Sequence, residues 1–369
     1  MKKLLYITDQ EEYSEHGTIG ALFHGYLKEH LHVNVVYFTK YKHSFQVKGD
    51  DFIAPEHYNT DIINYLQSKG IEIGQYHFVF VRNTQHILKA VLDNRDKYGY
   101  KVGFRTSFAK STEAYEHAKL SNAGFFKTLR VKFGNFTKDR LINKVDIFLP
   151  TTTQMQRVFY PNITCKVYPL LTALDPKQLT VRSVRNDGVR RFIYMGTLDI
   201  LREFEVVLDA FNNLSDKSWH LTLSVYNPET INELLKVYPR IKDKVEVLYA
   251  DELTEIKKQV CRCDVGLALL PNKELYNNAL SAKVVDYYTC AVPALLSDNS
   301  KNRSIFEEDT EAYFSSFDVK EIESKLKMLI EADEASLIEV GETGQKKLLE
   351  LERNYEVMAQ KLSQELDSL

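Results

Sequence analysis

Arg202 lies six residues after Gly196, within a stretch whose pattern can bind an anion, RFIYMGTLDILREFEVVLDAF (residues 191–211). Residues 192–195 form a short apolar run that predicts a strand, and apolar residues from Val206 onward recur at helical spacing. A helix that starts past the carboxyl end of a strand presents free N–H groups and a positive dipole end, to which Arg202 adds a guanidinium. The stretch therefore predicts a phosphate or diphosphate site. The alternative is an ordinary strand–helix unit with a surface arginine.

A second stretch, NNALSAKVVDYYTCAVPALL (residues 277–296), supplies polar groups that suit a nucleotide. Ser281 is the expected N-cap of a helix over residues 282–288. The small side chains of Ala279 and Ser281 leave room at that helix start, where free amides can bind a phosphate. Asp286 can accept two hydrogen bonds from a ribose diol. The alternative for Asp286 is an exposed carboxylate stabilised by the helix dipole.

Strand and helix patterns alternate along the chain, which predicts parallel sheets covered on both faces. In the first half, the predicted strands are residues 4–8, 33–38, 78–81, 102–105 and 147–150, and the helices are residues 19–27, 61–69, 85–93 and 120–143. In the second half, the predicted strands after residue 195 are 221–225, 245–249, 264–270 and 292–296, with helices at 229–237, 254–261 and 335–369. The loop before residue 19 holds Gly17, at which a backbone can approach a ligand closely.

Length and composition limit the class of protein. A chain of 369 residues with a net charge of −3 favours two domains and carries no nucleic-acid signature. No apolar run reaches eighteen residues, so no membrane span is predicted. The N-terminus MKKLLYITDQ turns polar after four apolar residues, so no signal peptide is predicted and we expect a cytoplasmic protein. Four cysteines are too few and too unevenly spaced for a disulfide framework, so reduced thiols are expected. The chain lacks Asp-x-Asp, and no metal-bridged diphosphate site is predicted.

A basic segment rich in phenylalanine lies in the first half of the chain. Its basic residues are Lys119, Lys127, Arg130, Lys132, Lys138, Arg140 and Lys144. Asp139 alone opposes them, and four phenylalanines are interleaved. One interpretation is peripheral binding to an anionic membrane surface on its cytoplasmic face, and the other is a core-facing helix with a solvated basic side.

Both halves together resemble the GT-B glycosyltransferases of retaining family 4. The resemblance rests on FIYMGTLDILREFEVVLDAF, CDVGLALLP, SAKVVDYYTCAVPALLS and FEEDTEAYF. It implies an α/β fold of two Rossmann-like domains facing each other across a cleft, with the C-terminal helix packing back on the first domain. The implied boundaries are residues 1–175 for the acceptor-side domain, 176–188 for a linker, 189–345 for the nucleotide-sugar domain and 346–369 for the returning helix.

The resemblance also assigns roles to individual residues. Arg202 stands where the family has its phosphate-binding Lys, Gly196 marks the turn, and Asp286 takes the second acid of the Glu-x7-Glu motif. Two positions depart from the family, since Thr197 replaces an Arg and Asn278 replaces the first Glu, and VGFRTSF lacks a histidine that the family often carries.

These considerations give a set of candidate site residues. The candidates for catalysis are Arg202 and Asn278. The candidates for donor binding are Gly17, Gly196, Thr197, Arg202, Tyr249, Leu253, Ala279, Leu280, Ser281, Lys283 and Asp286. The candidates on the acceptor side are His16, Arg105 and Ser107.

The preferred hypothesis is a glycosyltransferase that moves a sugar from a nucleotide-diphosphate sugar to a cell-surface glycan or lipid-linked acceptor. Retention is expected, with the leaving oxygen accepting the acceptor proton and with no metal or further cofactor. The first alternative is a catalytically degenerate GT-B module that binds a sugar nucleotide or serves as a non-catalytic partner subunit, which Thr197 and Asn278 favour. A phosphate-sugar epimerase or phosphorylase on the same fold is the second alternative.

Overall fold

The computed structural model describes the chain in six stretches, residues 1–10, 18–40, 44–108, 138–185, 187–249 and 253–369. It divides into two compact units. The first comprises Met1–Leu171 together with Tyr355–Leu369, and the second comprises Thr172–Asn354.

Within the described residues, the first unit is built on an eight-stranded sheet. Its strands are β1 (Lys3–Ile7), β2 (His32–Thr39), β3 (Gln46–Lys48), β4 (Asp51–Pro55), β5 (Phe78–Arg82), β6 (Lys101–Thr106), β7 (Ile147–Pro150) and β8 (Lys166–Val167). The strand order is β3-β4-β2-β1-β5-β6-β7-β8, and every neighbouring pair is parallel except β3–β4. The near-continuous apolar runs of the central strands fit this arrangement, because helices cover both faces of a parallel sheet. The predicted parallel sheet is confirmed.

In the sequence, the α-helices of the first unit come partly before and partly after the residues of the second unit. Those whose full bounds lie within the described residues are α1 (Ile62–Ser68), α2 (Gln85–Tyr98), α3 (Thr153–Phe159) and the C-terminal helix α11 (Tyr355–Asp367). Helix α11 buries Leu362 and Leu366, and its Asp367 forms an ion pair of 2.9 Å with Lys2, the residue before β1. The predicted return of the C-terminal helix to the first domain is confirmed, but the returning helix begins at Tyr355 rather than at residue 346, because Glu334–Glu350 form a separate helix of the second unit.

The segment predicted as an α-helix over residues 19–27 has a different hydrogen-bond pattern. Residues Ile19–Gly25 form a π-helix, and Tyr26–Glu29 form a 3₁₀-helix. Gly25 separates the two because its ψ of −105° lies outside the helical region. The apolar face was predicted correctly, since Leu22 and Phe23 are buried.

The second unit, within its described residues, has a six-stranded sheet in which every neighbouring pair is parallel. Its strands, in the order β11-β10-β9-β12-β13-β14, are β9 (Arg190–Met195), β10 (Trp219–Val225), β11 (Val245–Tyr249), β12 (Val265–Ala268), β13 (Ala294–Ser297) and β14 (Tyr313–Ser315). Its α-helices are α4 (Glu205–Asn213), α5 (Pro228–Leu235), α6 (Leu253–Val260), α7 (Ala282–Thr289), α8 (Ser300–Arg303), α9 (Val319–Glu331) and α10 (Glu334–Glu350).

Alternating residues of β9 enter two different hydrophobic clusters. Phe192 and Tyr194 pack in one cluster, and Ile193 and Met195 pack in the other. Because successive side chains of a strand point to opposite faces, this sheet has a covered apolar layer on each side.

Both sheets change direction beside their first strand. β1 lies between β2 and β5, and β9 lies between β10 and β12. In open α/β sheets, ligands bind outside the carboxyl ends of the strands at such a switch point. The residues that follow β1, β5, β9 and β12 are therefore the ones that the fold makes available to ligands.

The segment predicted as a linker, residues 176–188, packs on the second unit. Thr180 N donates to Thr289 O, and the guanidinium of the fully buried Arg182 lies 2.7 Å from Asp264 and 2.7 Å from Glu334. Arg190 also pairs with Glu334 at 2.7 Å. This buried ion network anchors the polar, proline-flanked segment.

The prediction that all four cysteines are reduced thiols is wrong. Cys261 and Cys290 form a disulfide between the ends of α6 and α7, whereas Cys165 and Cys263 are free. The two bonded residues lie 29 positions apart, and only the packing of α6 beside α7 brings them together.

Among the helices of the described ranges, none has the length and apolar character needed to cross a membrane.

Candidate functional site

The loop between β9 and α4 carries Arg202 at the switch point of the second sheet. Gly196 ends β9 with a φ of +105°, a conformation that glycine adopts without a steric penalty. Arg202 lies three residues before Glu205, the first residue of α4. Its guanidinium forms an ion pair with Asp199, whose Oδ1 also accepts hydrogen bonds from the backbone N–H groups of residues 201 and 202. Asp199 therefore fixes both the loop and the arginine that it carries.

Helix α7 brings a second cation to the same place. The Nζ of Lys283 lies 3.7 Å from the centre of the Tyr194 ring on β9. Burial, followed by the nearby charge of Arg202, lowers the pKa of Lys283 well below its usual range. Asp199 and Asp286 oppose this shift, so two cations and two carboxylates share one region of the second unit.

Asp286 lies one turn further along α7 than Lys283. Burial raises the pKa of its carboxyl to about 7, and the positive charge of Lys283 opposes the increase. A carboxyl with this pKa is divided between its neutral and ionised forms at physiological pH. Whether this carboxyl can donate a hydrogen bond or only accept one therefore depends on pH.

The position of α7 is set by close packing against the sheet. A Cβ on Gly266 of β12 would overlap the ring of Tyr287, so glycine at this position allows the helix to approach. The Tyr287 hydroxyl donates to the carbonyl oxygen of Leu267 at 2.9 Å. Ser281 occupies the predicted N-cap position, but its side chain makes no capping hydrogen bond. The N–H groups of the first turn of α7 are thus not capped by Ser281 and suit an anionic ligand.

Asn278 occupies a buried position before α7, where it is 3% exposed. Its Nδ2 donates to the carbonyl oxygen of Glu274. Lys273, in the same loop, donates to the carbonyl oxygen of Leu201 at 2.9 Å and to Glu203 at 2.5 Å. These contacts join the loop before α7 to the loop that carries Arg202.

Two exposed tyrosines follow β10 and end β11. Tyr226 is 55% exposed and Tyr249 is 58% exposed. Burial of its hydroxyl raises the pKa of Tyr226, and Asp286 and then Tyr249 add to the increase. Tyr226 therefore lies near both Asp286 and Tyr249. The aromatic faces of the two tyrosines are suited to stacking against a planar base.

Several predicted site residues have a more limited role in the structure. Thr197 is exposed, and Ala279 is half-buried. The side chain of Leu280 lies in the hydrophobic core, so only its backbone can contact a ligand. Leu253 begins α6, and its side chain lies outside the described set. His16 and Gly17 also lie outside the described residues.

Arg105 and Ser107, the acceptor-side candidates, both lie at the carboxyl end of β6 in the first unit. Ser107 N donates to Asn83 Oδ1 at 2.9 Å, and Asn83 contacts Asp9 at 3.2 Å. Arg105 is buried and donates to the carbonyl oxygen of Leu149 at 3.1 Å. The structure thus brings these two candidates to the switch-point edge of the first sheet.

Most of the basic segment, residues 119–137, lies outside the described residues. Lys138, which the sequence counts among its cations, is buried and donates to the Tyr160 hydroxyl at 2.7 Å. Burial lowers the pKa of Lys138 to about 8. Lys138 is therefore not a surface charge available to a membrane, whereas Arg140 and Lys144 are exposed.

Sequence reasoning did not identify several residues of the second-unit site. They are Tyr194, Asp199, Tyr226, Lys273 and Tyr276, whose ring centre lies 5.9 Å from the Arg202 guanidinium. The sequence does contain a local signal for the role of Asp199, since an Asp two to three residues before exposed N–H groups is typical of a turn. The others depend on spatial proximity that no local pattern encodes.

The geometry can be compared with known proteins. No protein-family model and no curated protein matches the sequence. Among solved structures, a sucrose-phosphate synthase from Thermosynechococcus elongatus matches with a TM-score of 0.74 and 12% identity, covering 100% of this chain and 99% of that chain. Anabaena HepE in complex with UDP and glucose matches with a TM-score of 0.67 and 12% identity, covering 100% of both chains. An α,α-trehalose-phosphate synthase (UDP-forming) from Burkholderia vietnamiensis matches with a TM-score of 0.65 and 11% identity, covering 100% of both chains.

The chain has the GT-B fold. Its two parallel sheets are the two Rossmann-like domains of that fold, and the predicted resemblance is confirmed at the level of architecture. In the GT-B frame, the cluster of Arg202, Lys283 and Asp286 belongs to the C-terminal domain, and Arg105 and Ser107 belong to the N-terminal domain.

Proposed function

We propose that the protein is a glycosyltransferase whose second unit binds a nucleotide-diphosphate sugar. The observation that carries the proposal is the convergence of Arg202, Lys283 and Asp286 at the switch point of the second sheet. Two cations beside an uncapped helix start suit a diphosphate, and a carboxylate one turn away suits a ribose diol. Structural neighbours support this assignment, since HepE is described in complexes with UDP and with UDP-glucose.

The proposed chemistry depends on stabilisation of a leaving group. Negative charge grows on the diphosphate as the bond to the sugar breaks, and Arg202, Lys283 and the first amides of α7 are positioned to stabilise that charge. Electrostatic stabilisation of this kind is worth about 10²–10³ in rate for a single donor. The leaving oxygen then accepts the acceptor proton and the sugar is transferred with retention. The proposal requires no metal ion.

Asp199 has a specific place in this proposal. Its carboxylate forms an ion pair with Arg202 and so neutralises that charge. A diphosphate competes with that carboxylate for the guanidinium, so part of the binding energy is used to displace or share the contact. Asn278 contributes a neutral amide whose Oδ1 can accept a hydrogen bond from a sugar hydroxyl, without the negative charge of a carboxylate.

The proposed acceptor is a cell-surface glycan or a lipid-linked glycan. One neighbour supports this class, a lipopolysaccharide outer core galactosyltransferase with a TM-score of 0.57 and 12% identity. Peripheral attachment to an anionic membrane through residues 119–144 stays part of the proposal. The burial of Lys138 removes one charge from that surface.

A binding module without catalysis is the second candidate. Thr197 is exposed and neutral where the resembling family has an Arg, and the pairing with Asp199 reduces the net positive charge available from Arg202. Such a module would bind a sugar nucleotide through the same residues and would not consume it.

A donor panel separates the two candidates. The purified protein is incubated with a set of nucleotide sugars, and nucleoside-diphosphate release and melting temperature are both measured. Release from one donor supports the transferase and identifies the donor. A melting shift by one donor without release supports the binding module, and a panel with neither contradicts both.

A further inference from the structure

The first unit contains a buried arginine whose charge no carboxylate neutralises within the described part of the chain. Arg105 is 3% exposed and lies next to the last residue of β6. Its Nη1 donates to the carbonyl oxygens of Thr106 and Leu149, each at 3.1 Å. These two carbonyls belong to the carboxyl ends of β6 and β7, so the guanidinium lies at the ligand-binding edge of the sheet.

The neighbouring arginine of the same sheet, in contrast, is neutralised by a carboxylate. Arg82 is the register partner of Arg105 on β5, and it forms an ion pair with Asp9 at 2.8 Å. Among the described residues, the guanidinium of Arg105 donates to carbonyl oxygens and not to a carboxylate, and the positive charge of Arg82 lies close enough to oppose its own. Burial of a charge without an opposite charge beside it costs several kcal/mol.

A second buried polar group accompanies Arg105. The Tyr6 hydroxyl is fully buried and, over the described residues, has no hydrogen-bond partner. Its ring stacks on Phe23 with centroids 3.9 Å apart. Arg82 and Arg105 both act electrostatically on this hydroxyl, which places it beside the two guanidinium groups. One donor hydroxyl and one guanidinium therefore meet at the same edge, and within the described residues neither has a hydrogen bond or an ion pair with a carboxylate. Asp9, which pairs with Arg82, is the carboxylate that acts electrostatically on the hydroxyl.

We propose that Arg105 and the Tyr6 hydroxyl bind an oxyanion of the acceptor, either a phosphate or a carboxylate. The identification of the anion as part of an acceptor rests on the proposed transferase function, whereas the anion site itself rests only on residues of the first unit. A planar guanidinium provides paired N–H donors that match the oxygens of both anions. Such a site selects acceptors that carry a phosphorylated or acidic sugar over neutral ones.

The test measures binding of inorganic phosphate to the full-length chain. Arg202→Gln provides the background, because the second-unit cations also attract phosphate. In that background, we expect Arg105→Gln to weaken phosphate binding by about tenfold or more, since hydrogen bonds to charged groups are lost. Arg105→Lys keeps a charge but not the paired donors and should give an intermediate affinity. Arg95→Gln is the matched control, because Arg95 lies on helix α2 and, like Arg105, donates to a backbone carbonyl oxygen, that of Lys144, at 2.9 Å.

The outcomes are separable from those of the donor panel. Equal phosphate affinity in the Arg202→Gln protein with and without Arg105→Gln or Arg105→Lys overturns the anion site, even where a nucleotide sugar is consumed. Loss of phosphate binding in both Arg105 variants but not in Arg95→Gln supports it, even where no donor is consumed. A panel of sugar phosphates, uronic acids and neutral sugars, tested for stimulation of donor consumption, then identifies the anion. Stimulation by neutral sugars alone overturns its assignment to the acceptor.

Discussion

The ammonium nitrogen of Lys283 lies 3.7 Å from the centre of the Tyr194 ring, beside Arg202. The contact joins the first turn of α7 to the end of β9, the two elements that border the switch point. A cation over an aromatic face is stabilised by the ring quadrupole, and the contact leaves the positive charge in a largely desolvated place. A diphosphate there would meet two cations that have little competing water.

The first prediction concerns pH and Lys283. Because its pKa lies well below the usual lysine range, the charge on Lys283 is lost at a lower pH than that of an exposed lysine. We expect UDP affinity, measured by calorimetry from pH 6 to 10, to fall as Lys283 loses its proton. Lys283→Arg should flatten the decline because arginine keeps its charge over this range. An identical pH profile for the two proteins would contradict the assigned role.

Asp286 provides the second prediction. Burial raises its pKa to about 7, so the folded state binds a proton more tightly than the unfolded chain. Stability should therefore decrease as pH rises from about 4 to 7 and then level off. We expect Asp286→Asn to raise the melting temperature at pH 8, to raise it less at pH 5, and to weaken nucleotide binding. A variant less stable than wild type at pH 8 would disprove this account.

The third prediction concerns the buried ion network. Asp264 lies 2.7 Å from Arg182 and 3.8 Å from Arg190. Asp264→Ala removes one carboxylate from two buried guanidinium groups and should lower the free energy of unfolding by about 3–5 kcal/mol. Asp187→Ala, which removes the exposed partner of Arg191, is the control and should change urea unfolding much less. Comparable midpoints for both variants would show that the network contributes little.

The disulfide gives the fourth prediction. Cys261 and Cys290 close a loop across 29 positions, for which chain entropy predicts a stabilisation of about 3–4 kcal/mol. We expect a reductant to lower the melting temperature of the wild type and to leave that of Cys261→Ser unchanged. Thiol titration of the unfolded, unreduced protein should find Cys165 and Cys263 only. Four reactive thiols would contradict the bond.

Periodicity predicted much of the fold because the apolar residues that form each strand and helix are local in sequence. β7 and β11 begin and end at the predicted residues, and α7 extends one residue beyond its predicted end. The short strands β3, β4 and β8 were not predicted, since residues 46–55 and 166–167 lack a sustained apolar pattern.

The site was less predictable than the fold. Gly196, Ser281 and Asp286 belong to local patterns, and the structure brings Asp286 together with Arg202 and Lys283. The ion pair of Asp199, the contact of Lys273 with Leu201 and the disulfide all join residues through tertiary packing. A single sequence contains no periodic signal for such contacts.

The central claim is that Arg202 stabilises the leaving diphosphate, and single-turnover release of nucleoside diphosphate tests it most directly. Wild type, Arg202→Ala and Arg202→Lys are compared at saturating donor, with the donor that the panel identifies. The account predicts that Arg202→Ala lowers the release rate about 10²–10³-fold and that Arg202→Lys, which retains a charge, lowers it less. Equal release rates in wild type and Arg202→Ala would contradict the claim.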